Sequence, residues 1–215
     1  MNPKFLLVSS TAAEIEGICG TIQPFQVTSI NENWSVLVTG VGITPTIFHL
    51  TKALLEFPFQ QIVNVGLAGA INRDLHIGDV VNVVADEFAF WGAENNSEFL
   101  SVFDLGLHNE NEYPFKNRKL QPKESLFSLD NLKKVTGLTV QTVTGSLNSL
   151  SQLSAYYSCD IESMEGAAVF YVANQLNIPA LQIRAISNYV EPRNRGNWKI
   201  QDALLSLSHV VKQLL

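Results

Sequence analysis

Glu165 and Asn188 stand within one predicted strand–helix–strand unit, and each could do chemistry. The helix is predicted over 164–176, and Glu165 lies four residues before Val169, on the stripe that this helix should bury. The following strand, predicted over 180–186, delivers Asn188 to its carboxyl end, the edge at which open α/β sheets bind ligands. The unit therefore predicts an acid and an amide beside one crevice.

Each of these side chains also has an ordinary structural explanation. Unpaired N–H groups and the helix dipole favour an acid in a first turn, and an Asn that follows a strand commonly bonds local backbone. Glu14 repeats the pattern, because it lies in the first turn of a helix predicted over 12–19 and four residues before Ile18, on the inward face. Taken singly, such acids indicate helix starts, so a functional interpretation needs their combination with other loops.

Three predicted strand ends run into small residues that let a ligand approach the backbone. These stretches are 40–42, 66–70 and 144–146, and the positions nearest a ligand would be Gly42, Ala68, Gly69 and Val143. The first lacks the third glycine of a dinucleotide fingerprint, and a Walker lysine is missing too, so dinucleotide and triphosphate binding are not expected. For the stretch 66–70, glycines that serve a tight turn are about as good an explanation.

Composition narrows the class of protein. The chain has 215 residues, a mass of 23.7 kDa and 46% hydrophobic residues, which predicts one domain over residues 1–215. Its net charge is −6 and its 14 Lys and Arg residues are scattered, so we expect no nucleic-acid partner. Cys19 and Cys159 have neither the spacing nor the neighbouring histidines of a disulfide framework or a zinc site, which predicts reduced thiols and no metal.

No targeting or membrane segment is expected from the apolar runs. The run 5–8 follows Lys4 and is too short for a signal peptide, and no run approaches the roughly 18 apolar residues of a membrane span. The sequence therefore predicts a cytoplasmic protein with no membrane partner.

The segment 86–122 breaks the alternation of strands and helices and predicts a long functional or mobile loop. Its aromatic residues, which include Phe88, Phe90 and Trp91, could cover a flat ligand or anchor a subunit contact, and the two alternatives stay open. Arg193, which follows Asn188 closely, could pair with an anionic substrate group or be a solvated loop arginine.

Predicted strands alternate with predicted helices, and several strand ends converge, which is typical of a three-layer α/β fold. Strands are predicted over 5–8, 27–30, 34–39, 61–65, 80–84, 138–143, 159–162 and 180–186, and helices over 12–19, 45–55, 125–133, 164–176 and 199–215.

Four stretches of the sequence resemble the purine nucleoside phosphorylase and nucleosidase superfamily. They are 162–168, 183–188, 65–69 and 75–80, and Glu14 falls where the nucleosidase branch keeps an N-terminal acid. Within the superfamily, the stretches 163–168 and 187–195 look most like the futalosine hydrolases of the menaquinone pathway. The resemblance covers nearly the whole chain and is weakest over 86–122. It implies a three-layer α/β/α sandwich with a central mixed sheet, no cofactor, a purine nucleoside substrate and a homo-oligomer, a dimer or larger.

The resemblance also implies roles for the three singled-out side chains. Cleavage of a purine N-glycosidic bond passes through an oxocarbenium-like cation, which needs negative charge near the sugar, a positioned water and a hydrogen bond to the departing base. Glu14 would activate the water as general base, and Glu165 would hold the ribose hydroxyls while Met164 packs against the sugar. Phe90 and Arg193 are candidates for contacts with the non-purine end.

Two departures from relatives in the superfamily refine the expected substrate and nucleophile. Methylthioadenosine/adenosylhomocysteine nucleosidases carry Asp where this chain has Asn188, and a neutral amide suits a 6-oxopurine, because it can donate to O6 and accept from N7–H. Bacterial phosphorylases place an Arg before the small-residue loop, where this chain has Asn64, so water is the expected nucleophile. We expect Arg184 to be structural, and phosphate binding by Arg184 or Arg73 from a distance stays open as an alternative.

Three other functions compete with the expected hydrolase. One is a methylthioadenosine/adenosylhomocysteine-like nucleosidase, another is a phosphorylase acting on inosine, and the third is a catalytically silent nucleoside-binding protein. The presence of both Glu14 and Glu165 argues against the silent binder, which has no need of a water-directing acid.

Overall fold

The structure is a computed structural model that describes residues 4–96 and 98–215. Within these residues the strands are β1 (Phe5–Ser9), β2 (Thr28–Ser29), β3 (Trp34–Val38), β4 (Gln61–Ala70), β5 (Val80–Phe88), β6 (Gly92–Asn95), β7 (Glu98–Ser101), β8 (Phe115–Lys116), β9 (Lys119–Leu120), β10 (Lys133–Thr139), β11 (Ile161–Ser163) and β12 (Ala180–Tyr189). The helices are α1 (Ala12–Cys19), α2 (Ile43–Glu56), α3 (Leu147–Tyr156), α4 (Gly166–Gln175) and α5 (Ile200–Val211), with a 3-10 turn over Arg195–Asn197.

Ten of these strands form one mixed sheet, and half of it closes on itself. The main order is β2-β3-β1-β4-β11-β10-β5-β9-β8, and β12 pairs with both β4 and β5. Strands β4, β12, β5, β10 and β11 therefore make a closed ring, while β2, β3 and β1 extend from β4 as an open sheet. The ring brings the ends of five strands to one place.

Helices cover both faces of the sheet, as the alternation of side chains along β1 requires. Leu6 and Val8 point into the core beneath α2 and α4, whereas Leu7 points into the core beneath α1 and α5. Helix α1 packs against α5, and α2 packs against α4. The predicted three-layer sandwich with a central mixed sheet is confirmed. Among the described residues, no helix combines the length and the apolar character needed to cross a membrane.

The helix starts agree with the predictions at α1 and differ at α2, α4 and α5, the last of which spans Ile200–Val211 and not the predicted 199–215. Helix α1 has the predicted bounds, because Thr11 and Glu14 form a capping box at its start. Helix α2 begins two residues before Pro45, with Gly42 as its N-cap at φ 94°. Helix α4 begins at Gly166, so Glu165 is its N-cap residue and does not lie on the buried stripe that the spacing predicted.

Several strands extend beyond their predicted ends because neighbouring strands pair with the extra residues. The stretch 66–70, predicted as a loop, belongs to β4 and pairs with β12 and β11. The strand predicted over 138–143 is β10, which lies earlier in the chain: it begins at Lys133 and ends at Thr139. The segment predicted as a long loop over 86–122 holds the end of β5 and two hairpins, β6–β7 and β8–β9.

The helix predicted over 125–133 is wrong, and tertiary contacts explain why. The Gln61 side-chain amide donates to Ser125 Oγ at 2.7 Å and accepts from Leu126 N at 2.6 Å. Phe127 packs against the rings of Phe5 and Trp34, with centroids 5.0 Å and 5.6 Å away. These contacts hold the segment in a non-helical path. Helix α3, which was not predicted, starts with a Ser146 capping box.

A buried carboxyl group anchors α4 to the sheet. Asp86 is fully buried in β5, where Thr139 Oγ1 and Gln182 Nε2 each donate to it at 2.9 Å. Thr139 Oγ1 in turn accepts from Ala167 N, at the start of α4, at 2.7 Å. Burial raises the pKa of Asp86 to about 6, while the two hydrogen bonds and the charge of Arg184 oppose the rise.

We expect Asp86→Asn to flatten the dependence of stability on pH. Because the folded state binds this proton more tightly than the unfolded chain, the stability it contributes is present at low pH and is lost as pH rises through about 6. The loss of unfolding free energy between about pH 4 and about pH 7 should be smaller in the variant by roughly 2 kcal/mol. Gln182 Oε1, which has no hydrogen-bond partner among the described residues, can accept from the new amide.

Denaturant unfolding across this pH range measures the effect. Asp74→Asn, at an exposed position, is the control, and its stability should depend on pH as that of the parent chain does. An unchanged profile in Asp86→Asn would contradict the assignment of the raised pKa to this group.

Candidate active site

Seven of the ten predicted site residues line one cavity of about 190 Å³ beside β4. They are Glu14, Ala68, Gly69, Val143, Met164, Glu165 and Asn188. These residues come from α1, β4, β12, the start of α4 and the loop after β10, so the ring brings together segments that are distant in the sequence. Their roles in catalysis and binding stay predictions.

Hydrogen bonds hold the Glu14 carboxylate in place at the cavity. Its Oε2 accepts from Ser9 Oγ at 2.9 Å, Ser10 Oγ at 2.7 Å, Thr11 N at 3.0 Å and Thr11 Oγ1 at 3.1 Å. Its Oε1 accepts from Leu67 N at 3.0 Å. Glu14 therefore serves both as the capping-box acid of α1 and as an oriented carboxylate at the cavity.

Gly66 leaves room for two charged groups beside β4. A Cβ at this position would lie 2.7 Å from Glu14 Oε1 and 2.7 Å from Arg184 Nη1. Arg184 is buried and its Nη2 donates to Asn64 Oδ1, while Asn64 Nδ2 donates to Val8 O at 3.1 Å. The expectation that Arg184 is structural agrees with its burial, and neither Arg184 nor Asn64 lines the cavity.

Glu165 is buried with its carboxylate turned toward α2. Its Oε1 accepts from Gly42 N at 2.8 Å, so the first N–H of the α2 start fixes the side chain. Burial raises the pKa of the Glu165 carboxyl; the charge of Arg184 and the Gly42 hydrogen bond oppose the rise, and the charge of Glu14 adds to it. Gly42, predicted as a substrate contact, touches the site through Glu165.

A β-bulge aims Asn188 at the cavity. The register of β12 against β4 shifts by one residue at Ser187, so Asn188 pairs with Gly69. Asn188 Oδ1 accepts from Ser187 Oγ at 2.8 Å, and its Nδ2 donates to Tyr189 O at 2.9 Å. A Cβ on Gly69 would lie 3.2 Å from Asn188 Nδ2. The same Cβ would lie 2.9 Å from Val190 Cγ2, so the glycine makes room for the Val190 and Asn188 side chains.

Sequence reasoning missed several residues that line the cavity. Glu162 is buried there, and both of its carboxylate oxygens accept from Thr144 N, at 3.0 Å and 3.2 Å. Ser10 and Trp198 also line it. The available signal for Glu162 was an acid inside a short buried strand, three residues before Glu165.

Like Gly42, two further predicted contacts lie outside this cavity. Phe90 packs edge-on against Tyr157, with ring centroids 5.2 Å apart, and lines two neighbouring cavities instead. The Arg193 guanidinium lies over the ring of Trp198, 4.9 Å from its centroid, and Trp198 itself lines the cavity. Within residues 4–96 and 98–215, no group of three or more His, Cys, Asp or Glu side chains is arranged to hold a metal ion.

The fold is that of a known class of protein. A family model described as the phosphorylase superfamily matches residues 16–215 of the chain. The chain therefore belongs to the phosphorylase superfamily, as its motifs predicted.

Individual proteins show which members of the superfamily this chain is similar to. Futalosine hydrolase of Streptomyces coelicolor is 32% identical over 189 residues, which cover 85% of this chain and 79% of that protein. Two solved structures from Helicobacter pylori superpose with a TM-score of 0.77. Futalosine hydrolase is 19% identical, with 99% of this chain and 97% of that chain covered. Methylthioadenosine/S-adenosylhomocysteine nucleosidase is 18% identical, with 100% and 98% covered.

We expect Gly66→Ala to destabilise the protein by about 1–3 kcal/mol, because the new Cβ would collide with buried Arg184 and with the fixed Glu14 carboxylate. Gly17→Ala, within α1, is the control. Its Cβ would meet Ser208 Oγ at an ordinary 3.5 Å, and the change should be neutral or stabilising. Denaturant unfolding compares the two variants. Equal stability of Gly66→Ala and the parent chain would contradict the expected clash, because it would mean that the neighbouring groups move aside to accommodate the Cβ.

Proposed function

We propose that this protein hydrolyses the N-glycosidic bond of futalosine and releases hypoxanthine and dehypoxanthine futalosine, a step of menaquinone biosynthesis. The observation that carries the proposal is the arrival of Glu14, Glu165 and Asn188 at one cavity whose described lining includes neither Lys nor Arg. Such a site offers negative charge to a ribosyl cation and an amide to the base, with no cation at its wall to hold phosphate.

Water is the nucleophile in this proposal, and Glu14 takes its proton. A general base must hold a fixed orientation within hydrogen-bond reach of the water. Glu14 meets the first requirement, because five hydrogen bonds from Ser9, Ser10, Thr11 and Leu67 hold its two oxygens. The attacking oxygen bonds to the anomeric carbon while the C–N bond breaks, and the bonding electron pair leaves with the base.

Glu165 holds the sugar and stabilises its developing charge. Its Oε1 is committed to Gly42 N, which leaves Oε2 to accept from ribose hydroxyls. The negative charge also favours the oxocarbenium-like transition state over the neutral ground state. Met164, at the cavity wall, supplies an apolar surface for the sugar.

Asn188 accommodates the departing base. The departing base takes a proton at N7 from solvent, and a neutral amide can then donate to O6 of hypoxanthine and accept from N7–H. In the free protein both ends of the Asn188 amide have local partners, Ser187 Oγ and Tyr189 O. These bonds orient the amide, and the base would compete for its remaining hydrogen-bonding capacity.

The similarity to the Streptomyces coelicolor futalosine hydrolase, at 32% identity, supports this substrate over the alternatives. A methylthioadenosine/adenosylhomocysteine-like nucleosidase shares the fold, and a phosphorylase acting on inosine shares the superfamily. Assembly into a homo-oligomer and a cytoplasmic location stay predictions.

Incubation of the purified protein with futalosine, inosine and methylthioadenosine, each with and without phosphate, tests the proposal. We expect free hypoxanthine from futalosine, at a rate that does not depend on phosphate. Release of base from inosine only when phosphate is present would replace this proposal with the phosphorylase, and adenine from methylthioadenosine alone would favour the other nucleosidase.

Glu14→Gln should lower kcat by about 10²- to 10⁴-fold, the usual contribution of a general base, with a small change in KM. Steady-state hydrolysis of futalosine measures both constants. Glu16→Gln, at an exposed position of the same helix, is the matched control and should keep the parent rate. A Glu14→Gln variant with normal kcat would remove this residue from the mechanism.

Asn188→Asp should weaken kcat/KM for futalosine by about 10- to 100-fold, because a carboxylate cannot donate to O6 and leaves that oxygen unpaired. Asn194→Asp is the control. The Asn194 side chain accepts from Gly196 N at 3.1 Å, a role that a carboxylate retains, so its kcat/KM should not change. Equal losses in the two variants would mean that negative charge near the 187–198 segment, and not the reading of O6, causes the effect.

A further inference from the structure

Glu162 is a buried carboxylate whose hydrogen-bonding capacity is mostly unused. Its side chain lines the catalytic cavity, and the residue is 5% exposed. Thr144 N is the one donor bonded to it within the described residues, shared between both oxygens at 3.0 Å and 3.2 Å. An ionised carboxylate offers about four acceptor positions. Glu162 can therefore accept further hydrogen bonds from a ligand in the cavity.

No cation compensates Glu162. No Lys, Arg or His of the described chain makes an ion pair with it, and burial raises the pKa of its carboxyl while the Thr144 hydrogen bond opposes the rise. Burying a charge with so few hydrogen-bond partners is unfavourable. A ligand N–H donor would remove part of that cost.

The strand register places Glu162 and Asn188 on either side of Gly69. Glu162 pairs with Gly69 across the antiparallel β11–β4 ladder, and Asn188 pairs with the same glycine across the parallel β12–β4 ladder. Since neighbouring strands lie about 4.8 Å apart, the Cα atoms of Glu162 and Asn188 are roughly 10 Å apart. Gly69 adds no side chain between them, and all three residues line the same cavity, which is where a planar ring could lie between the acid and the amide.

We propose that Glu162 determines base specificity by accepting the N1–H of a 6-oxopurine whose O6 and N7 face Asn188. The proposal rests on the proposed function for the placement of the base. It adds a recognition residue that the resemblance did not assign.

The two purine classes differ at the atom that Glu162 would face. A 6-oxopurine carries a hydrogen on N1, whereas a 6-aminopurine presents a lone pair there. A carboxylate pairs with the first and repels the second, and a site built to bond a ligand N–H discriminates strongly against an analogue that lacks it. Glu162 and Asn188 together would then read the base at N1, O6 and N7.

A purely structural role is the competing explanation, in which Glu162 only holds the loop at Thr144. Glu162→Gln separates the two roles. Its amide oxygen can still accept from Thr144 N, so the loop contact is kept, while its NH₂ group replaces an acceptor with a donor. A donor at this position suits N1 of adenine, so a base-reading role predicts a change in preference that a structural role does not.

Calorimetric titration of the full chain with hypoxanthine and with adenine tests the inference. We expect the parent chain to prefer hypoxanthine, and Glu162→Gln to reduce the ratio of the two affinities by at least about tenfold. Asp160→Asn is the matched control, because Asp160 lies just before the same strand and bonds Thr136 N at 2.8 Å outside the cavity. Its affinity ratio should equal that of the parent.

Glu162→Asp provides a second variant that keeps the charge if the Gln variant does not fold, and it should retain a preference for hypoxanthine. A Glu162→Gln variant with the parent's affinity ratio would overturn the proposal, as would a folded parent chain with no preference for hypoxanthine. Base binding does not require turnover. A shifted ratio in a protein that leaves futalosine intact would therefore support Glu162 as the base reader and overturn only the proposed reaction.

Discussion

The candidate site depends on a strand that lacks side chains at two positions. Strand β4 runs through the middle of the structure, and Gly66 admits the Glu14 carboxylate and the Arg184 guanidinium, each 2.7 Å from where a Cβ would lie. Gly69 makes room for the Val190 and Asn188 side chains, which lie 2.9 Å and 3.2 Å from where its Cβ would be. Glycine within a strand costs roughly 0.5–1 kcal/mol in backbone entropy. Ladders to β12 on one side and to β1 and β11 on the other offset that cost.

Hydrogen bonds, and not ion pairs, keep negative charge at the cavity. Glu14 draws on five donor contacts, Glu165 on the α2 start and Glu162 on one loop amide. Arg184, buried behind Gly66, makes no ion pair within 4.0 Å with any described carboxylate. Net negative charge can therefore act on a cation that forms in the cavity, which a tightly paired carboxylate would do less well.

Local signals predicted much of this arrangement, and non-local pairing decided the rest. The capping box gave α1 its predicted bounds and placed Glu14 correctly at the cavity. The extension of β4 to Ala70 and the bulge before Asn188 depend on strands more than 100 residues away in sequence, which no local pattern contains. Glu165 was singled out for its spacing from Val169, yet it lies before the helix, because the chain from β11 enters α4 at Gly166.

The closed ring also determines when the cavity can form during synthesis. Strand β12, near the carboxyl end of the chain, joins β4 to β5, and its residues contribute Asn188. Until that strand leaves the ribosome, β4 has an unpaired edge and its apolar residues lack a partner. Such long-range pairing raises contact order and slows folding. The closed ring and the cavity are thus completed in the same late step of folding.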